Sequence, residues 1–298
     1  MLATSRGWRH EGLTIGLVPT MGALHAGHMS LVERACRESS RVVVSIFVNP
    51  IQFGPKEDLA RYPSSPERDV GLLQQAGVAA IYAPSAAVMY PPQAATRVRV
   101  SGVADTLEGV FRPGHFEGVA TVVAKLFSAA EPDTAYFGQK DAQQVAVVKR
   151  LAQDLDTGVR IIVGRTVREP DGLALSSRNA YLGPDERQSA SCLSFALDGA
   201  ARAYKAGDRD LKELQRGILE VLAAEPLAKI EYLELVDPDT FSPPGTPRRH
   251  GRLDRKNTAD RQRRPGPAFS RISRISAVQL RFVTGGGRSD DQHHTNKP

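Results

Sequence analysis

The chain has 298 residues, 41% hydrophobic and 24% charged, ordinary globular usage that excludes collagen-like, mucin-like and wholly disordered chains. Apolar runs such as Val42 to Val48 fall far short of the roughly 18 residues of a membrane span, and Cys36 and Cys192, far apart and outside any C-x-x-C pair, argue against a disulfide scaffold or thiolate metal site and for a reducing cytoplasm. The net charge of +6 is uneven: residues 242–298 hold 13 Lys and Arg against 4 Asp and Glu, whereas residues 1–241 hold 26 against 29, so any electrostatic attraction to nucleic acid belongs to the tail.

The first dozen residues lack the apolar stretch of a signal peptide, and no export is expected. Leu13 to Val18 reads as a buried strand, Met29 to Ser39 as a helix with Leu31, Val32, Ala35 and Cys36 on one face, and Arg41 to Val48 as a second buried strand. Residues 66–76 read as a helix, 78–83 and 97–100 as strands, 119–130 as a helix, 134–137 as a strand, 142–155 as a helix and 159–163 as a strand. This alternation predicts an α/β fold, a Rossmann-like and mostly parallel sheet with helices on both faces. Beyond Val167 a turn-rich stretch leads to two Ala/Leu-rich helices, about 185–205 and 210–224, and a strand over 230–236. The expected organisation is a nucleotide- and substrate-binding domain over 1–167, a smaller α+β domain over 168–241, and a tail over 242–298.

Ligand sites in such sheets lie beyond the carboxyl ends of strands. Between the first strand and helix stands Pro19-Thr20-Met21-Gly22-Ala23-Leu24-His25-Ala26-Gly27-His28. Its glycines allow a tight turn, and the helix start offers free N–H groups and a positive dipole end to phosphate. His25 and His28 can both face one anion, which suits attack at the α-phosphorus of a nucleotide. The competing readings are half of a zinc site, for which no further Cys or His cluster supplies the remaining ligands, and a structural role. Gly138-Gln139-Lys140-Asp141, followed by Gln143 and Gln144, occupies a second strand end. Capping would explain Asp141, but a cation at a helix start opposes the dipole, so Lys140 reads as a phosphate contact. Leu175-Ser176-Ser177-Arg178-Asn179 supplies two hydroxyls and a guanidinium, a compact phosphate grip or a plain solvated turn.

Taken together, P-T-M-G-A-L-H-x-G-H, S-I-F-V-N-P-x-Q-F, F-G-x-K-D-x-Q-Q and D-G-L-A-x-S-S-R-N, in this order, resemble the pantoate–β-alanine ligase (pantothenate synthetase) family. That family lies within the nucleotidylyltransferase and class I aminoacyl-tRNA synthetase superfamily, and the resemblance runs from about Leu13 to Asp237. It implies ATP-dependent condensation of (R)-pantoate with β-alanine through a pantoyl adenylate, with release of pyrophosphate and AMP. By the same resemblance Met21, Gly22, Ala23, Leu24, His25, Ala26, Gly27 and His28 line the ATP site, His28 as proton donor. Gly138, Gln139, Lys140, Asp141, Val167, Leu175, Ser176, Ser177 and Arg178 also touch ATP. Gln52 binds pantoate beside β-alanine, Gln144 holds pantoate, and Mg²⁺ bridges the phosphates, with no protein ligand assigned to it. Glu108, Arg112 and His115 fall near the family's subunit contact, which implies a homodimer of a cytoplasmic enzyme. A tRNA synthetase would need a tRNA-binding domain for which the tail is a poor candidate. The rival of another class is a catalytically impaired nucleotide-binding module whose basic tail binds nucleic acid.

Two departures stand out. Only about a dozen residues precede the first strand, where the family has a helix, and nothing after Ser242 resembles its closing strands or its Arg-Leu-Ile-Asp-Asn-like phrase. The tail is rich in Arg, Pro and Gly, has no Glu and shows no apolar period. It therefore reads as disordered, and as the product of a frameshift between about Val236 and Gly245. Translation of the coding DNA from codon 230 in the two other frames is expected to give, in one of them, a strand-rich continuation with an Arg-Leu-x-Asp-Asn-like phrase. If neither frame does, the tail is in frame and has a function of its own.

Overall fold

The computed structural model describes residues 1–243 and, as a strand, 278–282. In chain order the elements are α1 (Leu2–His10), β1 (Ile15–Thr20), α2 (Ala26–Glu38), β2 (Arg41–Ile46), α3 (Pro66–Gln75), β3 (Ala80–Tyr82), α4 (Ala86–Met89), α5 (Glu108–Phe111) and α6 (His115–Ala130). They continue with β4 (Thr134–Gly138), α7 (Ala142–Asp154), β5 (Arg160–Gly164), α8 (Pro184–Ser189), α9 (Cys192–Ala206), α10 (Leu211–Ala223), β6 (Ala228–Leu233) and β7 (Val278–Phe282).

Five strands pair in parallel in the order β3-β2-β1-β4-β5. Side chains of a strand alternate between faces, and the two faces bury different helices. Ile15, Leu17, Val43, Ala135 and Phe137 pack with Val119, Val123 and Phe127 of α6 and Val147 and Leu151 of α7. Val18, Val42, Val44 and Tyr136 pack on the other side with Leu31, Val32 and Ala35 of α2 and Leu73 of α3. The parallel α/β sheet covered on both faces is thus as the periodicity implied. Beyond β5, α9 and α10 form a separate small core with Ala196, Ala200, Leu214, Ile218 and Leu222, closed by Leu233 of β6.

Several expectations are corrected. A helix does precede the first strand: α1 turns Met1, Ser5 and Trp8 to one side, with Ser5 buried and Met1 and Trp8 packed on the core. The i, i+4, i+7 spacing was present, but the polar and glycine-bearing sequence around it masked it. Arg97 to Val100 is not a strand; it runs along α6, where the Val98 N–H donates to Thr121 Oγ1 at 3.0 Å. The helix expected over 185–205 is two, α8 and α9, separated at Ala190 and Ser191, with Ser189 Oγ donating to Glu225 Oε1 at 2.9 Å at the break. In the tail, β7 pairs antiparallel with β6, with a register shift between Ile230 and Tyr232, so this part of 242–298 is strand. The rest of the disorder reading, over 244–277 and 283–298, lies outside the described residues.

One carboxylate ties the amino-terminal helix to the sheet. Asp133 Oδ2 accepts the Ile15 N–H at 2.7 Å while Oδ1 takes Arg9 Nη2 at 3.1 Å, and Arg9 Nε reaches Glu131 O at 3.0 Å. Asp133→Ala is expected to cost about 1–3 kcal/mol, the range for leaving a buried N–H, here that of Ile15, without its acceptor. Urea unfolding checks this, with a lower midpoint at unchanged slope.

Candidate active site

From β1 the sheet grows in opposite directions, to β2 on one side and β4 on the other. The loops leaving the carboxyl ends of β1 and β4 therefore part, and a crevice opens between them. A cleft of about 230 Å³ lies there, walled by Met21, the histidine segment, Gln52, one side of α6, the end of β4 and the 175–178 loop.

The loop after β1 is held from outside. Gly22 and Ala23 both have left-handed backbone, at φ 84 and 49, which leaves the N–H groups of Ala23 and Leu24 without a ladder or helix partner. Asp69 of α3, only 1% exposed, accepts both at 2.7 and 2.8 Å. Left-handed alanine costs about 1–2 kcal/mol, and two hydrogen bonds to a charged acceptor offset it. Asp69 was missed from sequence. Its signal was a charge four residues before Leu73, on the apolar face of α3.

His25 caps α2. Its Nδ1 accepts the Gly27 N–H at 3.1 Å, and His28 Nδ1 accepts the His25 N–H at 3.4 Å, a reciprocal arrangement. The rings stack 4.0 Å apart. A side chain at Gly27 would put its Cβ 2.9 Å from the His25 ring, so the stack requires glycine there. Burial, reinforced by Lys140, lowers the His25 pKa. Burial, then His25, brings His28 down to about 4. Both rings are neutral at pH 7 and both Nδ1 atoms are acceptors, so each carries its proton on Nε2. Two Nε2–H donors stand side by side at a helix amino terminus, where an anion is favoured.

Lys140 and Asp141 pair at 3.0 Å. Asp141 raises the Lys140 pKa; at Asp141 burial works the other way, but Lys140 holds its carboxyl below the usual range. Ser177 Oγ donates to Ala23 O at 3.1 Å, tying the 175–178 loop to the histidine loop. Three segments far apart in the chain thus line one cleft.

The family model described as pantoate-beta-alanine ligase matches residues 1–259. This chain belongs to the pantoate–β-alanine ligase family. It is 53% identical over 236 residues to the pantothenate synthetase of Agrobacterium fabrum strain C58, covering 79% of this chain and 81% of that one. To the enzyme of Thermoanaerobacter sp. strain X514 it is 54% identical over 231 residues, covering 78% and 82%. The crystal structure of pantothenate synthetase from Thermus thermophilus superposes with a TM-score of 0.77 at 49% identity, covering 82% of this chain and 88% of that one. A pantoate–β-alanine ligase from Francisella tularensis, complexed with β,γ-ATP and β-alanine, gives 0.66 at 37%, covering 78% and 87%. The protein is a ligase joining pantoate to β-alanine, and the impaired-module alternative is not favoured.

Of the residues expected in the ligase site, Met21, His25, Gly27, His28, Gln52, Gly138, Lys140, Asp141, Gln144, Val167 and Leu175 to Arg178 line the cleft. Gly22, Ala23, Leu24, Ala26 and Gln139 do not; Leu24 is fully buried in the core, and Gly22 and Ala23 shape the turn. Gln143, beside Gln144, is buried and structural, its Nε2 donating to Val103 O and Thr106 O at 2.8 and 2.7 Å. Arg178 points at Asp58, which takes Nε and Nη2 at 2.8 and 2.9 Å, and lies over the Phe53 and Tyr62 rings at 5.9 and 5.6 Å. Asp58 and Tyr62 were not singled out from sequence, since an acid or aromatic in a polar loop carries no periodic signal, and Asn49 entered only as a letter of the S-I-F-V-N-P-x-Q-F phrase.

Glu108, Arg112 and His115, set by resemblance near a subunit contact, line the cleft. Arg112 is bidentate to Glu57 at 2.8 and 2.6 Å and reaches Glu108 at 2.7 Å. His115 Nδ1 lies 2.8 Å from Gln52 O; a carbonyl only accepts, so the proton is on Nδ1 and Nε2 faces Arg112 Nη1 at 3.2 Å. Burial, then Arg112, lowers the His115 pKa.

A histidine whose folded pKa lies below its unfolded value of about 6.5 stabilises fully above that value and loses its contribution as pH falls toward the folded pKa. For His28 that window runs from about 6.5 to about 4. The stability of the wild type relative to His28→Gln is therefore expected to fall between pH 7.5 and 4.5, in urea unfolding at matched salt. A constant difference across this range would mean that His28 is not held neutral.

Proposed function

We propose that the cleft carries out the ligation in two steps on ATP. In the first, a pantoate carboxylate oxygen attacks the α-phosphorus, a P–O bond forms, and the bond to the β-phosphate bridging oxygen breaks, releasing pyrophosphate. In the second, the unprotonated β-alanine amine attacks the acyl carbon, the bond to the phosphate oxygen breaks, AMP leaves, and the new amide loses one proton. The substrate brings its own nucleophile, so the protein's task is alignment and charge stabilisation.

The observation that carries this reading is the pair of neutral Nε2–H donors of His25 and His28 at the α2 amino terminus, facing the same cleft as Lys140. The proton-donor role implied for His28 thus takes the form of a hydrogen bond from a neutral ring to phosphate oxygen. Lys140 adds a point charge, and phosphate takes over from Asp141 and Asp58 as partner of Lys140 and Arg178. Ser176 and Ser177 contribute hydroxyls. Gln52 and Gln144 hold pantoate, as amides that can donate to a carboxylate and accept from a hydroxyl, with Gln52 beside β-alanine.

Mg²⁺ fits as an ion carried by the nucleotide. Among the described residues no three His, Cys, Asp or Glu side chains gather to hold a metal, and the carboxylates on the cleft are engaged, Asp141 by Lys140 and Glu108 by Arg112. A hard cation would take its oxygens mainly from phosphates and water, and would supply further neutralisation of phosphate charge. We read the working form as a cytoplasmic homodimer, with Val110 and Phe111, 61% and 51% exposed, as apolar surface for the second copy. The unit beyond Arg168 is read as a second domain that closes over ATP.

The test is exchange of labelled pyrophosphate into ATP. Exchange is expected to require pantoate and Mg²⁺, and AMP to form only when β-alanine is added. His28→Ala and Lys140→Ala are expected to lose about 10²–10³-fold in exchange, the range for removing a preorganised donor, whereas His10→Ala loses little. Exchange that proceeds equally without pantoate would sink the substrate assignment.

A further inference from the structure

Gln52 sits on a single helical turn after β2, at 9% exposure. Which end of its amide faces the substrate decides what it can recognise: the NH₂ end donates to a carboxylate, carbonyl or hydroxyl oxygen, whereas the oxygen only accepts. A backbone carbonyl determines the answer. Gly118 O of α6 lies 3.1 Å from the Asn49 side chain, and because a carbonyl only accepts, the facing atom is Nδ2. The second hydrogen of that nitrogen goes to Gln52 at 3.0 Å, so the atom it meets is Oε1. Gln52 Nε2 is therefore turned the other way, toward Met21 Sδ at 3.1 Å. A thioether is a weak acceptor, and both Met21 and Gln52 line the cleft, so this N–H is available to a ligand oxygen.

The arrangement is completed by a residue outside the cleft wall. Asn49 is 1% exposed, and its Oδ1 takes the Tyr90 hydroxyl at 2.8 Å. Tyr90 closes α4, with its ring tilted on Phe47 at 6.1 Å and the Arg97 guanidinium 6.0 Å from its centroid. Gly118 packs so closely that a Cβ there would lie 2.6 Å from Gln52 Cα, and His115 holds the Gln52 carbonyl. The backbone of Gln52 is thus anchored from α6, and its side chain from Tyr90 through Asn49.

We propose that Tyr90 is a positioning residue for pantoate, holding Asn49, and through it the Gln52 amide, so that Nε2 donates to a pantoate oxygen. This rests on the assignment of Gln52 to pantoate. Removal of the hydroxyl leaves Asn49 Oδ1 as a buried acceptor without its donor. Asn49 then turns away from the arrangement that orients Gln52, while His25, His28 and Lys140 keep contacts that do not involve Tyr90 or Asn49. Burial pushes the Tyr90 pKa up to about 12, so the hydroxyl keeps its proton through the physiological range.

The experiment is a double-mutant cycle on the full chain with Tyr90→Phe, Gln52→Ala and the pair, measuring kcat and KM for pantoate and for ATP separately. Tyr90→Phe is expected to raise the pantoate KM roughly 3- to 10-fold, the span of one lost neutral hydrogen bond, with the ATP KM within about twofold of wild type. Added to Gln52→Ala, it is expected to change the pantoate kcat/KM less than about twofold, because its effect runs through Gln52. An unchanged pantoate KM in Tyr90→Phe, equal rises in both KM values, or multiplying effects in the double variant would each overturn the proposal and leave the Gln52 assignment standing. An unchanged pantoate KM in Gln52→Ala would instead overturn the assignment itself, and the proposal with it.

Discussion

Two backbone N–H groups, those of Ala23 and Leu24, have no partner in a helix or strand, and the site is organised around the carboxylate that takes them. Asp69 reaches across from α3 to accept both. A buried N–H without a partner costs about 1–3 kcal/mol, so without Asp69 the left-handed turn at Gly22 and Ala23 would have little to hold it. With it, the chain leaves β1 at one angle and enters α2 with His25 as its cap. The stacked histidines, their tautomers and the open helix terminus all follow from that angle.

Three of the cations on the cleft are paired within the protein. Lys140 has Asp141, Arg178 has Asp58, and Arg112 has Glu57 and Glu108. Pairing keeps the cations charged against desolvation, and it sets the terms on which an anionic ligand enters. An anionic ligand would compete with a carboxylate for a cation already aligned, and would gain most where that cation is least buried. Lys140 and Arg178 side chains are 39% and 42% exposed, whereas Arg112 is 18% exposed and held by two carboxylates. The first two are suited to exchanging partners, and the third to holding the 108–115 segment and the Gln52 turn in place.

The histidines add hydrogen bonds rather than charge. Burial keeps both neutral, and the capping hydrogen bonds choose which nitrogen bears the proton. A cation in their place would attract any anion in the cleft, wherever its charge lay. Neutral donors on a fixed helix end can instead be aimed at where charge develops.

Local signals in the sequence determined the sheet and the motif residues. Alternation on β1 and β4 separates Ile15 and Leu17 from Val18, and Phe137 from Tyr136, because successive strand side chains face opposite ways. Glycine, histidine and lysine at strand ends mark the cleft for reasons of backbone geometry and charge that need no partner. What the sequence could not decide was contact between distant residues. Asp69 lies 46 positions from Ala23, Tyr90 41 from Asn49, and Asp58 120 from Arg178; each is an ordinary polar side chain whose role exists only once the sheet order brings it near. The same is true of α1, whose three inward residues become a core face only against α6 and β1, and of β7, paired to β6 across a long stretch of chain. Residue type and spacing specify local conformation and which way a side chain points, whereas which donor meets which acceptor is decided by tertiary packing.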